Sequence, residues 1–383
     1  MLCSTRNGIN KVLYIFIVIS FIIYSCGNRP LQPEHATADS WRTSSPEQQG
    51  LDSAILQGAW EAAGDLGYVN SLLVFRNGYL VREWYFNGYD RHDPHLVQSV
   101  SKSFLSALVG VAFSEGYLDS LDQPVIEFFP EIDTPDLDER KRSITIGHLL
   151  TMRAGFQSDH AVFFDVYDSD DWVRQTWDLP LFFPPGQGFM YNTFEPHLLS
   201  VIITRTTGVS SYEYAQSALF EPLGVRCHGW EQDPQNYFFG GSGMWFTPRD
   251  MARLGYLYLR GGSLRDQIVP PDWVEQSLVD YQGANHWEWG ELKELGYGFL
   301  WWLGQIDGYE VFTALGHGGQ FILCVPELEM IVVTICFSDV DWEAADRQER
   351  SILSVVAQHI LPSVIEGEIS SLSGKEGMGE LAK

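Results

Sequence analysis

Ser99 to Ala112 reads SVSKSFLSALVGVA, and how this stretch is interpreted decides the fold of the whole chain. Phe104, Leu105, Leu108, Val109 and Ala112 recur at helical spacing behind Ser99, so the stretch reads as a buried helix that starts at the serine. At positions i and i+3, Ser99 and Lys102 share one helix face. The backbone N–H groups at a helix start are unpaired and favour developing negative charge. A serine hydroxyl is a weak nucleophile until a base takes its proton. A lysine serves as that base only if burial or a nearby cation lowers its pKa, and the apolar run supplies burial. Of the six lysines, Lys102 alone has a serine three residues before it. The same spacing also suits a helix-capping serine with a lysine whose stem lies along apolar surface. The meaning of the tetrad therefore depends on what converges on it.

Two other elements can converge. Phe183-Pro-Pro-Gly186 leads to Phe189-Met-Tyr-Asn-Thr193 and then to a helix, which puts Tyr191 in a loop that can face a cleft. Beside an ammonium its phenolate is stabilised, so it too can act as a base; the alternative is a core or surface aromatic. Gly316-His-Gly-Gly-Gln320 lies between two strand-like runs. Its glycines allow another backbone or a ligand to approach closely, and an N–H from the strand could complete an oxyanion hole; the alternative is a plain glycine-rich turn.

Outward from these elements, Asp52 reads as the cap of a helix carrying Ile55, Leu56, Ala59, Trp60 and Ala63 on one face. Strands at 71–75 and 79–85 flank Asn77-Gly78, a tight-turn signal. Ile146 to Met152 and His197 to Thr206 read as helices, the second ended by Gly208. Residues 157–180 read as irregular, with Asp159, Asp165, Asp168, Asp170 and Asp171. Thr247-Pro248-Arg249-Asp250 is a helix start. Tyr309 to Leu315, Gln320 to Val325 and Met330 to Phe337 read as strands, followed by an amphipathic helix over Asp346 to Leu361. Strands at both ends around a helical middle imply an α/β domain with a helical insertion.

At 383 residues and 45% hydrophobic composition the chain can bury a large core. Its formal charge of −26 repels phosphate backbones and argues against nucleic-acid binding. Arg6 and Lys11 precede an apolar run from Val12 to Tyr24, too short to span a bilayer comfortably and suited to a signal peptide. The run ends at Ser25-Cys26-Gly27, which resembles a bacterial lipoprotein signal with Cys26 as the lipidated mature N-terminus; an ordinary signal peptide or an uncleaved anchor is the alternative. Cys227, Cys324 and Cys336 are a poor disulfide framework. His92-Asp-Pro-His95 reads as a loop rather than a metal site, since Pro94 argues against a helix there.

Taken together, Ser99-Val-Ser-Lys102, Tyr191-Asn-Thr193 and His317-Gly-Gly319 resemble the three cleft motifs of the serine β-lactamase and penicillin-binding superfamily. The likeness is to its class C-like branch of esterases, D-aminopeptidases and 6-aminohexanoate-dimer hydrolases. It extends to WRTSSPEQQGL (41–51), ITIGHLLTMRAG (144–155), Pro222-Leu-Gly224, GMWFTPRDMARLG (243–255) and IVPPDW (268–273), and covers roughly residues 41–362.

The resemblance implies an antiparallel sheet flanked by helices with a large helical insertion, an α/β part over 41–98 and 285–365 and a helical part over 99–284. Residues 1–25 would be the signal peptide, 26–40 a tether and 366–383 a polar tail. It implies that Ser99 is the acylated nucleophile, Lys102 its proton partner and Tyr191 a second general acid/base. The N–H groups of Ser99 and Gln320 would form the oxyanion hole, and Thr193, His317, Gly318 and Gly319 would contact substrate.

Two departures from the β-lactamase pattern affect recognition. Thr193 stands where Tyr-x-Asn has its amide, and His317 stands where Lys-Thr-Gly has its lysine, so a cation for a substrate carboxylate is missing. Both leave the acylation groups in place and favour an esterase or amidase over a β-lactamase. The segment 157–180, with Trp172 and Trp177, is expected to wall the pocket, and Trp245 and Trp287 are further candidates. The expectation is a serine hydrolase of an ester, amide or peptide, with no cofactor, in the bacterial envelope and touching the membrane only through a lipid anchor. A D,D-peptidase or weak β-lactamase, and a non-catalytic envelope binding protein, are the alternatives.

Overall fold

In the computed structural model, which describes residues 40–283 and 287–365, Asp52 starts the first helix by accepting hydrogen bonds from Ala54 N (2.8 Å) and Ile55 N (3.2 Å). This helix, α1 (Ser53–Leu66), buries Leu56, Ala59 and Ala63. Ile55 and Trp60, expected on the same face, are exposed instead. The stripe buried against the sheet is narrower than the apolar one in the sequence. Strands β1 (Val69–Arg76) and β2 (Tyr79–Tyr85) form the expected hairpin. Asn77 and Gly78 both have positive φ at its turn, the backbone that Asn-Gly adopts most readily.

The short β3 (His95–Leu96) leads into α2 (Val100–Ser114). The helical region continues with α3 (Ile146–Leu150), α4 (Asp159–Tyr167), α5 (Trp172–Asp178) and α6 (Phe194–Thr207). Then follow α7 (Ser211–Ala215), α8 (Glu221–Leu223), β4 (Gly229–Trp230), β5 (Met244–Phe246), α9 (Pro248–Leu259) and α10 (Pro271–Ser277). The chain returns to strands in β6 (Trp287–Trp289), β7 (Leu292–Tyr297), β8 (Trp302–Ile306), β9 (Tyr309–Gly316), β10 (Gln320–Val325) and β11 (Met330–Cys336), and ends in α11 (Trp342–Val355).

The eight-stranded sheet has the order β2-β1-β11-β10-β9-β8-β7-β6, with antiparallel neighbours throughout. Its central strands β1, β10 and β11 are buried at every position because both faces are covered. Leu73 and Phe75 of β1, Ile322 of β10 and Val333 of β11 join the core beneath α2 and α9. Their neighbours Leu72, Val74, Leu323 and Val332 join a second core beneath α1 and α11. Period-2 alternation thus divides each strand between two apolar layers. Helices flank an antiparallel sheet, as the resemblance implies.

Helix α2 runs through the larger core and is buried along nearly its full length. Phe104 is fully buried, stacked on Phe246 at 4.3 Å between ring centroids and set edge-on to Phe220 at 6.3 Å. Phe104→Ala is expected to lower stability by about 3–5 kcal/mol, read by urea unfolding. A loss below about 1 kcal/mol would mean that α2 is not packed as described.

Three expectations are corrected. Residues 157–180 are not irregular. They carry α4 and α5, and Asp171 caps α5 through Arg174 N (2.8 Å). Of the aspartates that suggested a loop, Asp165, Asp168 and Asp170 are exposed and Asp171 forms this cap. Secondly, β6, β7 and β8 extend the sheet where no strand was expected. Charged residues at this edge and register shifts in the β6–β7 and β7–β8 pairs break the alternation that marks a strand. Thirdly, β4 and β5, within the helical region, join β3 in a small sheet of order β3-β5-β4. The signal peptide, Cys26 and the polar tail fall outside the described residues.

Candidate active site

Gln98, immediately before Ser99, has φ +51, an uncommon conformation for a residue with a side chain. This bend carries the chain from β3 into α2. It is held by Val97 N donating to Met244 O (3.0 Å) and by Ser101 Oγ donating to Gln98 O (2.7 Å). Met244 N in turn donates to Ser101 Oγ (3.2 Å). Ser101 therefore works as a staple between the helix start and β5.

Ser99 is the N-cap residue by position, yet its side chain caps nothing. Its Oγ accepts from Lys102 Nζ at 2.7 Å. Lys102 is 1% exposed, so its stem does not run out to solvent. Nζ also donates to Gly241 O (2.6 Å) and Thr193 Oγ1 (3.2 Å), which gives each of its three hydrogens an oxygen. The alternative of a capping serine with an outward lysine does not describe this geometry.

Tyr191 lies in the loop before α6, with Lys102 Nζ 5.0 Å from its ring centroid. Trp302 stacks on it at 5.6 Å and Tyr297 meets it edge-on at 6.2 Å. The loop is fixed by Asn192. Its Oδ1 accepts from Phe194 N (2.7 Å) and Glu195 N (3.2 Å), and its Nδ2 donates to Gln157 O (2.7 Å). The amide is thus taken up by the α6 start and Gln157 and does not face the cleft. Because Asn192 caps α6, the Thr193 hydroxyl is not needed there and meets Lys102 instead.

Gly316 ends β9 against the segment before Ser99. A Cβ on it would collide with Val97 O, so this glycine permits the close backbone approach that the sequence suggested. His317 Nε2 lies 2.8 Å from Val340 O and its ring meets Trp342 edge-on at 4.9 Å. Gly318 N donates to Glu349 Oε1 (2.8 Å), and the Gln348 amide donates to Gly318 O (3.0 Å). Thr334 Oγ1 donates to Gly319 O (2.8 Å). The Gln320 side chain is buried and clamps Cys336, accepting from its N and donating to its O, both at 3.0 Å. The turn opposite Ser99 is thus fixed from α11 and β11.

Ser99, Tyr191, Thr193 and His317 line one cleft of about 720 Å³. Trp287 lines it as expected. Trp172 and Trp177 do not: they are buried in the helical core, against Phe239 and Phe129 respectively. Phe163 and Phe164 of α4 wall the cleft instead, and Trp245 lies outside it. Sequence reasoning also missed Gly241, whose carbonyl receives Lys102, and the α11 wall. The run Gly240-Gly-Ser-Gly243 was a usable signal for the first: a Cβ on Gly241 would collide with Thr193 O. Among the described residues no group of three or more His, Cys, Asp or Glu could hold a metal ion.

Burial pushes the Glu349 carboxyl up to about 8; its bond from Gly318 N opposes the rise, Asp346 adds to it and Arg350 opposes it. The folded protein holds this proton more tightly than the unfolded chain does. The resulting stability is complete below about pH 4.5 and is lost as pH rises towards about 8. Glu349→Gln keeps an oxygen for Gly318 and has no proton to lose. Its melting temperature is expected to fall less than that of the wild type between about pH 5 and 8. Parallel curves would show that Glu349 does not titrate in this range.

The Beta-lactamase family model matches residues 56–357. The chain is 27% identical over 287 residues to the 6-aminohexanoate-dimer hydrolase of Paenarthrobacter ureafaciens, covering 70% of this chain and 72% of that one. It is 28% identical over 156 residues to the esterase EstB of Burkholderia gladioli, covering 36% and 39%. Among solved structures, EstCE1, a hydrolase with promiscuous acyltransferase activity, shares the fold with a TM-score of 0.65 at 19% identity, covering 81% of this chain and 99% of that one.

Proposed function

The chain belongs to the Beta-lactamase family, and from that premise we propose that it is a serine hydrolase that cleaves an ester or amide bond through an acyl-enzyme on Ser99. The observation that carries the reading is the Lys102 Nζ to Ser99 Oγ contact of 2.7 Å, with the lysine buried, the serine facing the cleft and its hydroxyl free of any capping duty. The relatives support it: one is a 6-aminohexanoate-dimer hydrolase and another an esterase.

Ser99 Oγ attacks the carbonyl carbon while its proton passes to Lys102 in its neutral amine form or to Tyr191 as the phenolate. The carbonyl oxygen gains negative charge and is received by the N–H groups of Ser99 and Gln320. Collapse expels the leaving group, which takes a proton from Tyr191 or Lys102, and leaves Ser99 acylated. Water then attacks the acyl carbon, its proton passing to the same pair, and Ser99 Oγ leaves with a proton restored. Thr193 and Gly241 hold Nζ beside Oγ throughout.

His317 directs Nε2 at Val340 O, and this position carries no permanent cation. That favours esters and uncharged amides over peptides read by a terminal carboxylate, and so over a D,D-peptidase. A fluorophosphonate probe is expected to label Ser99 in the wild type, with the modified peptide identified by mass spectrometry. Labelling that persists in Ser99→Ala would sink the reading.

A further inference from the structure

The walls of the cleft carry information about substrate that the reacting groups do not. Phe164, Trp342 and Trp287 stand at its rim, 67%, 50% and 41% exposed. Three large rings left open around one mouth mark a binding surface rather than a core. The aromatic surface is continuous inwards: Trp287 meets Trp302 edge-on at 6.4 Å, and Trp302 stacks on Tyr191, beside Lys102. Trp342, on the other wall, packs on His317.

The charged groups of the walls are all acidic. Asp341 and Asp346 line the cleft beside the Glu349 carboxyl, which keeps its proton up to about pH 8, and no arginine or lysine does so among the described residues. Each acid has a partner. Asp341 accepts from Ala344 N, Asp346 from Trp289 Nε1 and Arg350 Nε, all at 2.8 Å, and Glu349 from Gly318 N. None needs a cationic substrate to satisfy it, and the Asp341 and Asp346 carboxylates oppose an anionic one. The charge of −26 on the chain acts in the same direction at longer range.

We infer that the cleft selects esters or amides whose larger portion is aromatic or long-chain apolar and carries no negative charge. This rests on the serine-hydrolase reading for its substrates but not for its binding preference. Rings at the rim would sandwich the apolar portion, with its carbonyl delivered to Ser99. A carboxylate on that portion would be desolvated among the acids of α11 with no cation to receive it.

The test compares p-nitrophenyl acetate, p-nitrophenyl phenylbutyrate and the phenylbutyrate carrying a para-carboxylate on its ring. The expected kcat/KM of the phenylbutyrate is at least about tenfold above that of the acetate, and the carboxylate lowers it by at least about tenfold. In Trp287→Ala and Trp342→Ala the phenylbutyrate-to-acetate ratio falls by at least about fivefold, while Trp245→Ala, whose ring lies outside the cleft, leaves that ratio unchanged. A second measurement does not depend on turnover: binding of phenylbutyramide and its para-carboxylate to Ser99→Ala, read by tryptophan fluorescence. The uncharged amide is expected to bind at least about tenfold more tightly. Equal binding, or tighter binding of the carboxylate, overturns the inference even if Ser99 is labelled by fluorophosphonate. Preferential binding without labelling or turnover upholds it and overturns the hydrolase reading alone.

Discussion

Ser99→Ala is expected to fold and to lose hydrolysis of p-nitrophenyl esters by roughly 10⁴-fold or more in kcat/KM. The size of the effect follows from the proposed role: without Oγ no acyl-enzyme would form, and only uncatalysed attack by water within the cleft would remain. The fold should tolerate the change. Ser99 supplies no side-chain cap to α2, and its neighbours Gln98 and Ser101 hold the bend by other bonds. Removing Oγ takes one acceptor from Lys102 Nζ, which keeps Gly241 O and Thr193 Oγ1. A melting temperature within a few degrees of the wild type is expected beside the abolished activity. Activity retained in Ser99→Ala would locate the nucleophile elsewhere.

Replacing Lys102 is the second large effect. Lys102→Ala removes a proton acceptor and donor adjoining Oγ, and a loss of about 10³-fold or more in kcat is expected. Lys102→Arg separates two explanations. The guanidinium keeps a positive charge at the site but stays protonated, so it cannot accept a proton from Ser99. If Lys102 works by proton transfer, arginine fails as completely as alanine. If it works only as a fixed charge, arginine restores a substantial part of the rate. The comparison needs Tyr191→Phe beside it. Loss with Tyr191→Phe as large as with Lys102→Arg would mean that the pair shares the proton as a unit, since the effects of such groups are not additive.

Much of the site was legible because its signals are local. The Ser99–Lys102 spacing, the Asn77-Gly78 turn and the Thr247 start of α9 each depend on a few adjacent residues, and each element stands where those residues put it. What was not legible depends on distant segments. Nothing near Lys102 in sequence reveals that its charge rests on the carbonyl of Gly241, a residue 139 positions away. Trp172 and Trp177 could not be distinguished from wall residues, because an indole buried in a helical core and one facing a cleft read alike as letters. Phe163 and Phe164 were hidden for the opposite reason: the aspartates around them suggested a loop and masked the spacing of α4. The α11 wall was missed because the helix starts at Trp342, four residues before the amphipathic pattern was recognised.

The place of β11 between β1 and β10 has a consequence for how the molecule comes into being. The opening hairpin reaches the rest of the sheet only through a strand that leaves the ribosome more than 240 residues later. Until then β1 and β10 each present an unpaired edge, and the apolar layers on both faces are incomplete. Such non-local pairing slows folding and lengthens the time at risk of aggregation. A nascent chain stopped before Met330 would present two adhesive edges rather than a smaller closed domain. Helix α11 follows β11, so the wall that fixes the His317 turn is among the last parts to arrive.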